Sequence, residues 1–299
     1  MKILITGSNG LLGQKILHKL RLDNDIDLIA TSKGKNRVAN TEGYMYFSLD
    51  ITKKEQIGTL FNKIMPDVVI NTAAMTNVDL CESEKERCKN LNIKAVRYLA
   101  DQCLAINSHL IHLSTDFIFD GKNGPYSEND NPNPLSFYGH SKLESEKILY
   151  EHNLNWTILR TIIVFGVGEN LSKGNLIIWA KDALEKMKSI KIINDQYRAP
   201  TLAEDLADAC ILAAKNKVYG IFHTSGKDIM SIYEIVKRIA IFFNLSMENV
   251  KEISTSDLNQ VAKRPLKTGF ILDKAKKELA FNPHSFEECL CIIQKQLNN

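Results

Sequence analysis

KILITGSNGLLGQKILHKL, residues 2–20, decides the fold. Residues 2–6 (KILIT) form a β-branched apolar run, residues 7–13 (GSNGLLG) carry three glycines at three-residue spacing, and residues 14–20 (QKILHKL) have helical periodicity. A GxxGxxG turn between a first strand and a first helix has the form of a pyrophosphate cradle. Gly7 permits the tight turn, Gly10 lets the backbone approach an anion, and Gly13 lets the helix lie close to the strand, while the helix N-terminus supplies unpaired N–H groups. Asn9, Leu11 and Leu12 complete this candidate cofactor-binding turn.

Working outward, the same alternation recurs. DLIAT (27–31), YMYFS (44–48), DVVIN (67–71), HLIHLS (109–114) and WTILR (156–160) read as strands, with helical patterns at 11–22, 53–64, 84–106 and 138–152 between them. Nearly continuous apolar strands are those covered on both faces. The expectation is an α/β doubly wound parallel sheet of Rossmann type with a smaller C-terminal substrate-binding lobe. Residues 1–165 form the dinucleotide domain, rejoined by a segment near 200–230, and 166–299 form mainly the second lobe. That lobe opens with a Gly-rich loop (166–174) and continues through LIIWAKDALEKM, SIKIIN and the turn NDQYRAP, with further helices at 202–215 and 231–243 and a strand at YGIFHTS.

Composition agrees with a packed enzyme-sized chain: 299 residues, 44% hydrophobic and 24% charged. Thirty-eight basic against 35 acidic residues leave a formal charge of +3 without blocks of like charge, which argues against a nucleic-acid partner. No apolar run approaches the ~18 residues of a membrane span, and the N-terminus enters strand pattern directly, so a cytoplasmic protein without a membrane partner is expected. The six cysteines lack CxxC or zinc spacing and read as reduced thiols; His109, His112 and His140 have no metal-ligand pattern, and no metal is expected.

The chemistry is carried by Tyr138-Gly-His-Ser-Lys142. Four residues on a helix is one turn, so phenol and ammonium share a face, and a positive charge beside a phenol eases proton exchange with a carbonyl near neutral pH. His140 between them points elsewhere. Ser114 and Thr115 end the fifth strand, at the sheet edge where ligands bind; Thr115 is taken as the catalytic hydroxyl and Ser114 as its support. Asn92, polar within a packed helix, either holds a water or main-chain group near the lysine or marks a kink. The second strand ends Thr31-Ser32-Lys33, without the carboxylate that meets a ribose 2′-hydroxyl. Lys33, helped by Lys35 or Arg37, suits a 2′-phosphate unless these are only solvated charges, so NADPH is favoured, with NADH admissible. Asp50, with Ile51, either meets the adenine edge or caps the next helix.

GSNGLLG, NTAAMTNVD, LSTDFIFDG, YGHSK, RTIIVFG, DQYRAPT and KRPLKTGFILD, in this order over about residues 1–282, resemble the extended short-chain dehydrogenase/reductases, most closely the dTDP-4-dehydrorhamnose reductase branch. The resemblance implies a catalytic set of Thr115, Tyr138 and Lys142. It also implies Ala73 and Ala74, with Met75, beside a nicotinamide ribose, and a sugar contact at Thr115 and Asp116. It further implies hydride transfer from nicotinamide C4 to a 4-keto-6-deoxyhexose and a proton from Tyr138, with epimerisation or another nucleotide sugar as alternatives. The same resemblance extends to the regulatory subunit of methionine adenosyltransferase, a non-catalytic NADP-binding alternative. Two departures bear on substrate: Ile163 stands where the reductases carry a sugar-packing tryptophan, and Phe117 stands where dehydratases carry an acid.

The remaining candidates lie beyond Arg160. Asn175 and Arg198 are candidate substrate contacts, as is Arg264, each arginine being suited to a diphosphate or else to fixing a loop. Trp179 and the Phe242–Phe243 pair read as core. A homodimer is compatible with this reading.

Overall fold

The computed structural model describes residues 1–171 and 174–298. Positions 172 and 173 of the Gly-rich loop therefore lie outside the described residues. Seven parallel strands form the central sheet: β1 (Lys2–Thr6), β2 (Asp27–Ser32), β3 (Met45–Ser48), β4 (Val68–Asn71), β5 (His109–Thr115), β6 (Trp156–Thr161) and β7 (Gly220–His223). Their spatial order is β7-β6-β5-β4-β1-β2-β3, the doubly wound Rossmann arrangement. β1 lies between β2 and β4, with Thr6 level with Thr31 on one side and Asn71 on the other. The chain reverses its winding here, and the crevice at the carboxyl ends of these strands is where such sheets bind ligands.

Strand alternation distributes the core to both faces. Ile3 and Ile5 of β1 join one apolar cluster with Ile16, Leu17 and Leu20 of α1 (Leu11–Leu20), whereas Leu4 joins the other with Phe61 of α2 (Lys54–Ile64) and Leu99 of α3 (Ala95–Ala105). The second face is completed by Ile148 and Leu149 of α4 (Phe137–Glu151), whose N-cap Ser136 accepts a hydrogen bond from Gly139 N–H. An N-cap of this kind contributes about 1 kcal/mol and starts the helix at the residue before Tyr138.

Past β6 the chain builds α5 (Leu176–Glu185), α6 (Ala203–Asn216), α7 (Ile232–Phe243) and, near its end, α8 (Phe286–Leu297). α6 and β7 belong to the first sheet layer: Ala209, Cys210 and Ala213 pack with Leu17 and Ile16, and β7 pairs with β6 from Gly220–Thr157 to His223–Arg160. Ile177 and Leu184 of α5, Ile235 and Ile239 of α7 and Leu290 of α8 form a separate core. Phe242 and Phe243 are half-buried against it, but Trp179 is 46% exposed and corrects the expectation of a core residue.

The stretch expected as one helix at 84–106 is broken. Helices Val78–Ser83 and Lys85–Lys89 lead into a π-turn at Asn90–Lys94 before α3 begins. Among the described residues no helix is long and apolar enough to cross a membrane, and no group of three or more His, Cys, Asp or Glu side chains could hold a metal ion.

Candidate active site

A cleft of about 630 Å³ opens above the β1–β4 crossover. Asn9, Gly10, Leu11, Leu12 and Gly13 line one end, Thr72, Ala74, Thr115, Asp116, Tyr138 and Lys142 the middle, and Thr161 at the end of β6 with Ile163, Asn175 and Leu176 beyond it the remaining wall. Volumes of a few hundred cubic ångströms are those of small-molecule sites.

The glycine turn is fixed by backbone contact. Gly7 adopts φ +72°, and a Cβ there would meet Ala73 N and Thr72 Oγ1 at 2.8 Å; a Cβ on Gly13 would meet Gly7 O at 2.6 Å. Gly10 caps α1 with no side-chain acceptor, so the first-turn N–H groups face the cleft without side-chain partners. Ser114 Oγ is buried in the same cleft, and no hydrogen-bond partner for it is present among the described residues. An uncapped helix start and an unsatisfied hydroxyl fit the polar groups of a dinucleotide. Asn9 ties this turn to the loop after β2: its Nδ2 donates to Lys35 O at 2.8 Å and its Oδ1 accepts from Arg37 N–H at 2.9 Å.

That loop carries the exposed Lys33, which pairs with Asp50 at 2.8 Å. Asp50, further bonded by Thr52, is held down at about 2, against the opposing effect of its burial. Thr31 donates to Ile5 O and is fully buried, and Ser32 O accepts from Leu49 N–H. Thr31, Ser32, Lys33, Asp50 and Ile51 stand outside the cleft lining, as do Ala73 and Met75, whose neighbour Ala74 lines it.

Tyr138 and Lys142 do share a helix face in the cleft, both more than nine-tenths buried. Burial pushes the Tyr138 phenol well up, the neighbouring Asp116 adds to this, and the Thr115 hydroxyl opposes it. Burial pushes Lys142 down to about 8, against Glu146 and Cys88. Desolvation is the largest influence on the phenol, and it favours the protonated form. Lys142 Nζ lies 3.0 Å from His112 Nε2.

Thr115 ends β5 and caps the 3-10 turn Asp116–Ile118: its Oγ1 accepts from Phe117 N–H and contacts Asp116 Oδ1 at 3.1 Å. Asp116 reaches the cleft, but its carboxyl is occupied by Thr268 Oγ1 at 2.5 Å and Arg198 Nε at 3.7 Å. Burial raises its proton affinity.

The arginines expected at a diphosphate are committed elsewhere. Arg198 is 2% exposed; its Nη1 donates to Tyr197 O at 2.7 Å and its Nη2 to Pro265 O at 2.7 Å, and it stands outside the cleft lining. Its guanidinium fixes the loop around Pro265, the other of its two sequence readings. Arg264 grips both oxygens of Asp79, at 3.1 and 2.7 Å, and ties its segment to the first lobe. Asn175 lines the cleft with its side chain spent on capping α5: Oδ1 accepts from Ile178 N–H and Nδ2 donates to Gly166 O. Ile163 also lines the cleft and holds φ +36°, an unusual conformation for a β-branched residue.

Asn92 fulfils both of its readings. It lies in the π-turn, and its carboxamide brackets Met75, accepting from Met75 N–H at 2.8 Å and donating to Met75 O at 3.0 Å, while Nδ2 also reaches Ser141 Oγ at 3.0 Å. The segment beside Ala74 is thereby fastened to the helix that carries Tyr138 and Lys142. Sequence reasoning missed His112 and Asn71; the available signal was polar residues inside strands that are otherwise apolar.

The RmlD substrate binding domain family matches residues 1–298. The chain belongs to this family. Among curated relatives of this RmlD-family chain, the dTDP-4-dehydrorhamnose reductase of Aggregatibacter actinomycetemcomitans is 33% identical, with 97% of each chain covered. The methionine adenosyltransferase 2 subunit beta of Danio rerio is 33% identical over 88% of this chain and 80% of that relative. A crystal structure of a Clostridium acetobutylicum dTDP-4-dehydrorhamnose reductase superposes with TM-score 0.87 at 29% identity, covering all of both chains. The Bacillus anthracis dTDP-4-dehydrorhamnose reductase in complex with NADP gives 0.83 at 27%, covering 99% of each.

Proposed function

We propose that this RmlD-family chain is an NADPH-dependent reductase of a nucleotide-linked 4-keto-6-deoxyhexose, converting dTDP-4-dehydrorhamnose to dTDP-L-rhamnose. One observation carries the reading: Thr115, Tyr138 and Lys142 stand in the same cleft as the uncapped first turn of α1. The relatives named above support it.

The first-turn N–H groups of α1 receive a pyrophosphate, and Ala74 with Lys142 borders the ribose on the nicotinamide side. When bound, NADPH supplies the hydride that reduces the keto carbon. Tyr138 holds its phenolic proton at neutral pH and gives it to the oxygen of that carbon, which is the service a buried, protonated phenol performs well. Thr115 Oγ1, beside the phenol, orients the same oxygen. Ser114 Oγ supplies a further donor to a polar ligand atom in the cleft.

The likeness to methionine adenosyltransferase 2 subunit beta favours a second reading, an NADP-binding regulatory subunit without turnover. A complete proton-transfer set in the cleft weighs for the enzyme. NADPH oxidation against a panel of nucleotide-linked 4-ketohexoses separates them, with turnover of dTDP-4-dehydrorhamnose the expected result. Intact NADPH binding with no turnover on any member selects the regulatory reading. Calorimetric titration of the NADP-loaded protein with dTDP is the companion test: absence of binding up to millimolar dTDP removes the nucleotide-sugar reading altogether.

A further inference from the structure

The sheet carries a second concavity at its other edge. Its strands are parallel, so residues 107–108, 153–155 and 219, which lie just before β5, β6 and β7, gather at the amino ends of these strands, opposite the cleft. β5 ends in Thr115 and is preceded by Ser108, and seven residues of strand at about 3.3 Å each set the two regions roughly 20 Å apart. The concavity measures about 360 Å³ against about 630 Å³ for the cleft, which suits a single ring rather than a dinucleotide. Asn107, Ser108, Asn153, Asn155 and Tyr219 line it, and no aspartate, glutamate, lysine or arginine is among the described residues of its lining. Asn107 takes φ +55°, a left-handed conformation that asparagine tolerates, and turns the chain from α3 into β5, with the N–H groups of Asn107 and Ser108 closing back on Leu104 O and Cys103 O. Asn155 O accepts from Leu110 N–H at 2.9 Å and fixes the opposite rim to β5.

His152 also lines the concavity, but its ring is spent on the wall, with the two nitrogens 2.6 Å from Ile148 O and 3.1 Å from Asp101 Oδ1. The carboxamides of Asn107, Asn153 and Asn155 and the phenol of Tyr219 are placed differently: none of them bonds to another described residue. Ser108 is 1% exposed, and beyond the Cys103 thiol, a weak hydrogen-bonding group, its Oγ has no partner among the described residues. A buried hydroxyl left in this way marks a place where a polar ligand atom is accommodated. Tyr219 is 63% exposed and is backed by Trp156, whose ring centre lies 4.5 Å away.

We propose that this concavity is a second binding site, for a neutral polyhydroxylated ring such as a hexose. An uncharged lining gives nothing to offset the desolvation of an ion. Each carboxamide offers both a donor and an acceptor, as each sugar hydroxyl does, so the three asparagines and Ser108 Oγ match the rim of a hexose. Tyr219 supplies an aromatic surface for its C–H face. One exposed aromatic ring among hydroxyl and carboxamide groups is the proportion of a sugar, whose polar groups outnumber its apolar face. No residue of the cleft takes part, so the proposal does not depend on the reductase reading.

The test titrates the methyl glycosides of glucose, mannose and rhamnose into the full-length 15N-labelled protein and follows the side-chain NH₂ signals of Asn107, Asn153 and Asn155. Expected is saturable binding of at least one glycoside with a dissociation constant of about 1 mM, the scale for a ligand of this size, and with shifts at those carboxamides. Asn153→Ala combined with Asn155→Ala should weaken that binding by about tenfold or more, and Ser108→Ala by about three- to tenfold. Asn153 and Asn155 are exposed and precede β6, so the double variant keeps the fold, and the carboxamide shifts in the unmodified protein need no variant at all. The proposal is overturned by the absence of saturable shifts up to about 100 mM glycoside, a hundredfold above the expected constant. Glycoside binding that both variants leave unaltered, which would place the sugar elsewhere, overturns it too, as does tighter binding of tartrate or adenosine at the same carboxamides. Failure of the reductase reading would show separately, as absence of NADPH turnover while glycoside binding stands.

Discussion

Tyr138 is 8% exposed and its surroundings favour the protonated phenol, so in the proposed reaction its contribution is the delivery of one proton. Tyr138→Phe keeps the ring that meets Phe117 edge-on at 5.7 Å and removes only the hydroxyl. Steady-state kinetics on this variant are expected to show turnover lower by about 10²–10⁴-fold, while the fluorescence-measured affinity for NADPH is unchanged; turnover near the unmodified level would remove Tyr138 from the chemistry. Lys33 is a residue of another kind. Its ammonium is 81% exposed and shares Asp50 with solvent, so a 2′-phosphate competes for it against a weak surface pair. Lys33→Glu is expected to abolish a preference for NADPH over NADH of roughly tenfold, the lower end of what one charge-assisted contact supplies. Equal affinities for both cofactors in the unmodified protein would show that Lys33 meets no phosphate. At this scale the sequence is legible where spacing alone brings groups together, as with Tyr138 and Lys142 one helical turn apart. It is illegible where the partner is remote: nothing near QYRAPT signals that Arg198 would spend its guanidinium on carbonyls of residues 197 and 265 and on Asp116.

At the scale of elements, the strands are readable because parallel strands covered on both faces are apolar throughout, and β1, β4 and β5 begin within a residue of where their patterns do. The break between residues 78 and 105 is not. Asn92 opens a π-turn by bonding Met75 and Ser141, 17 residues before it and 49 after it, and helical periodicity within the segment carries no trace of those partners. The short strand Tyr197–Arg198 shows the same dependence. It pairs antiparallel with Met230–Ser231, and its arginine holds the loop around Pro265 while facing the buried Asp116. Arg198→Ala leaves the Asp116 carboxylate buried without its cation and three carbonyl contacts unmade. Removing one partner of a buried pair costs about 3–5 kcal/mol, so urea denaturation is expected to show a loss of that order. A fully stable variant with a raised Michaelis constant for the nucleotide sugar would instead return Arg198 to the diphosphate.

Across the whole molecule, three imidazoles are buried in the sheet or against it: His109, His112 and His223, none more than 3% exposed. Burial is the largest cause lowering each of them, with Lys217, Lys142 and Arg160 adding to it respectively, and His109 is lowered to about 4. The sign follows from proton binding. Below the ordinary histidine value of about 6.5 the unfolded chain takes up three protons that the folded chain refuses, so stability falls as pH falls, from about 6.5 down to about 4 for His109 and further for the other two. At pH 5 each imidazole that stays neutral removes about 2 kcal/mol. Asp116, raised by burial, works in the other direction once it begins to protonate in the folded chain. Against a total stability of about 5–15 kcal/mol, three such groups remove a large share of it in mild acid. Urea midpoints measured at pH 7.5, 6 and 5 should fall steeply between the last two. His223→Gln, which removes one titrating group, should flatten that fall even if it lowers stability at pH 7.5. Midpoints that stay level down to pH 5 would mean that these imidazoles accept protons in the folded state, and with them the buried polar layer beneath the cleft.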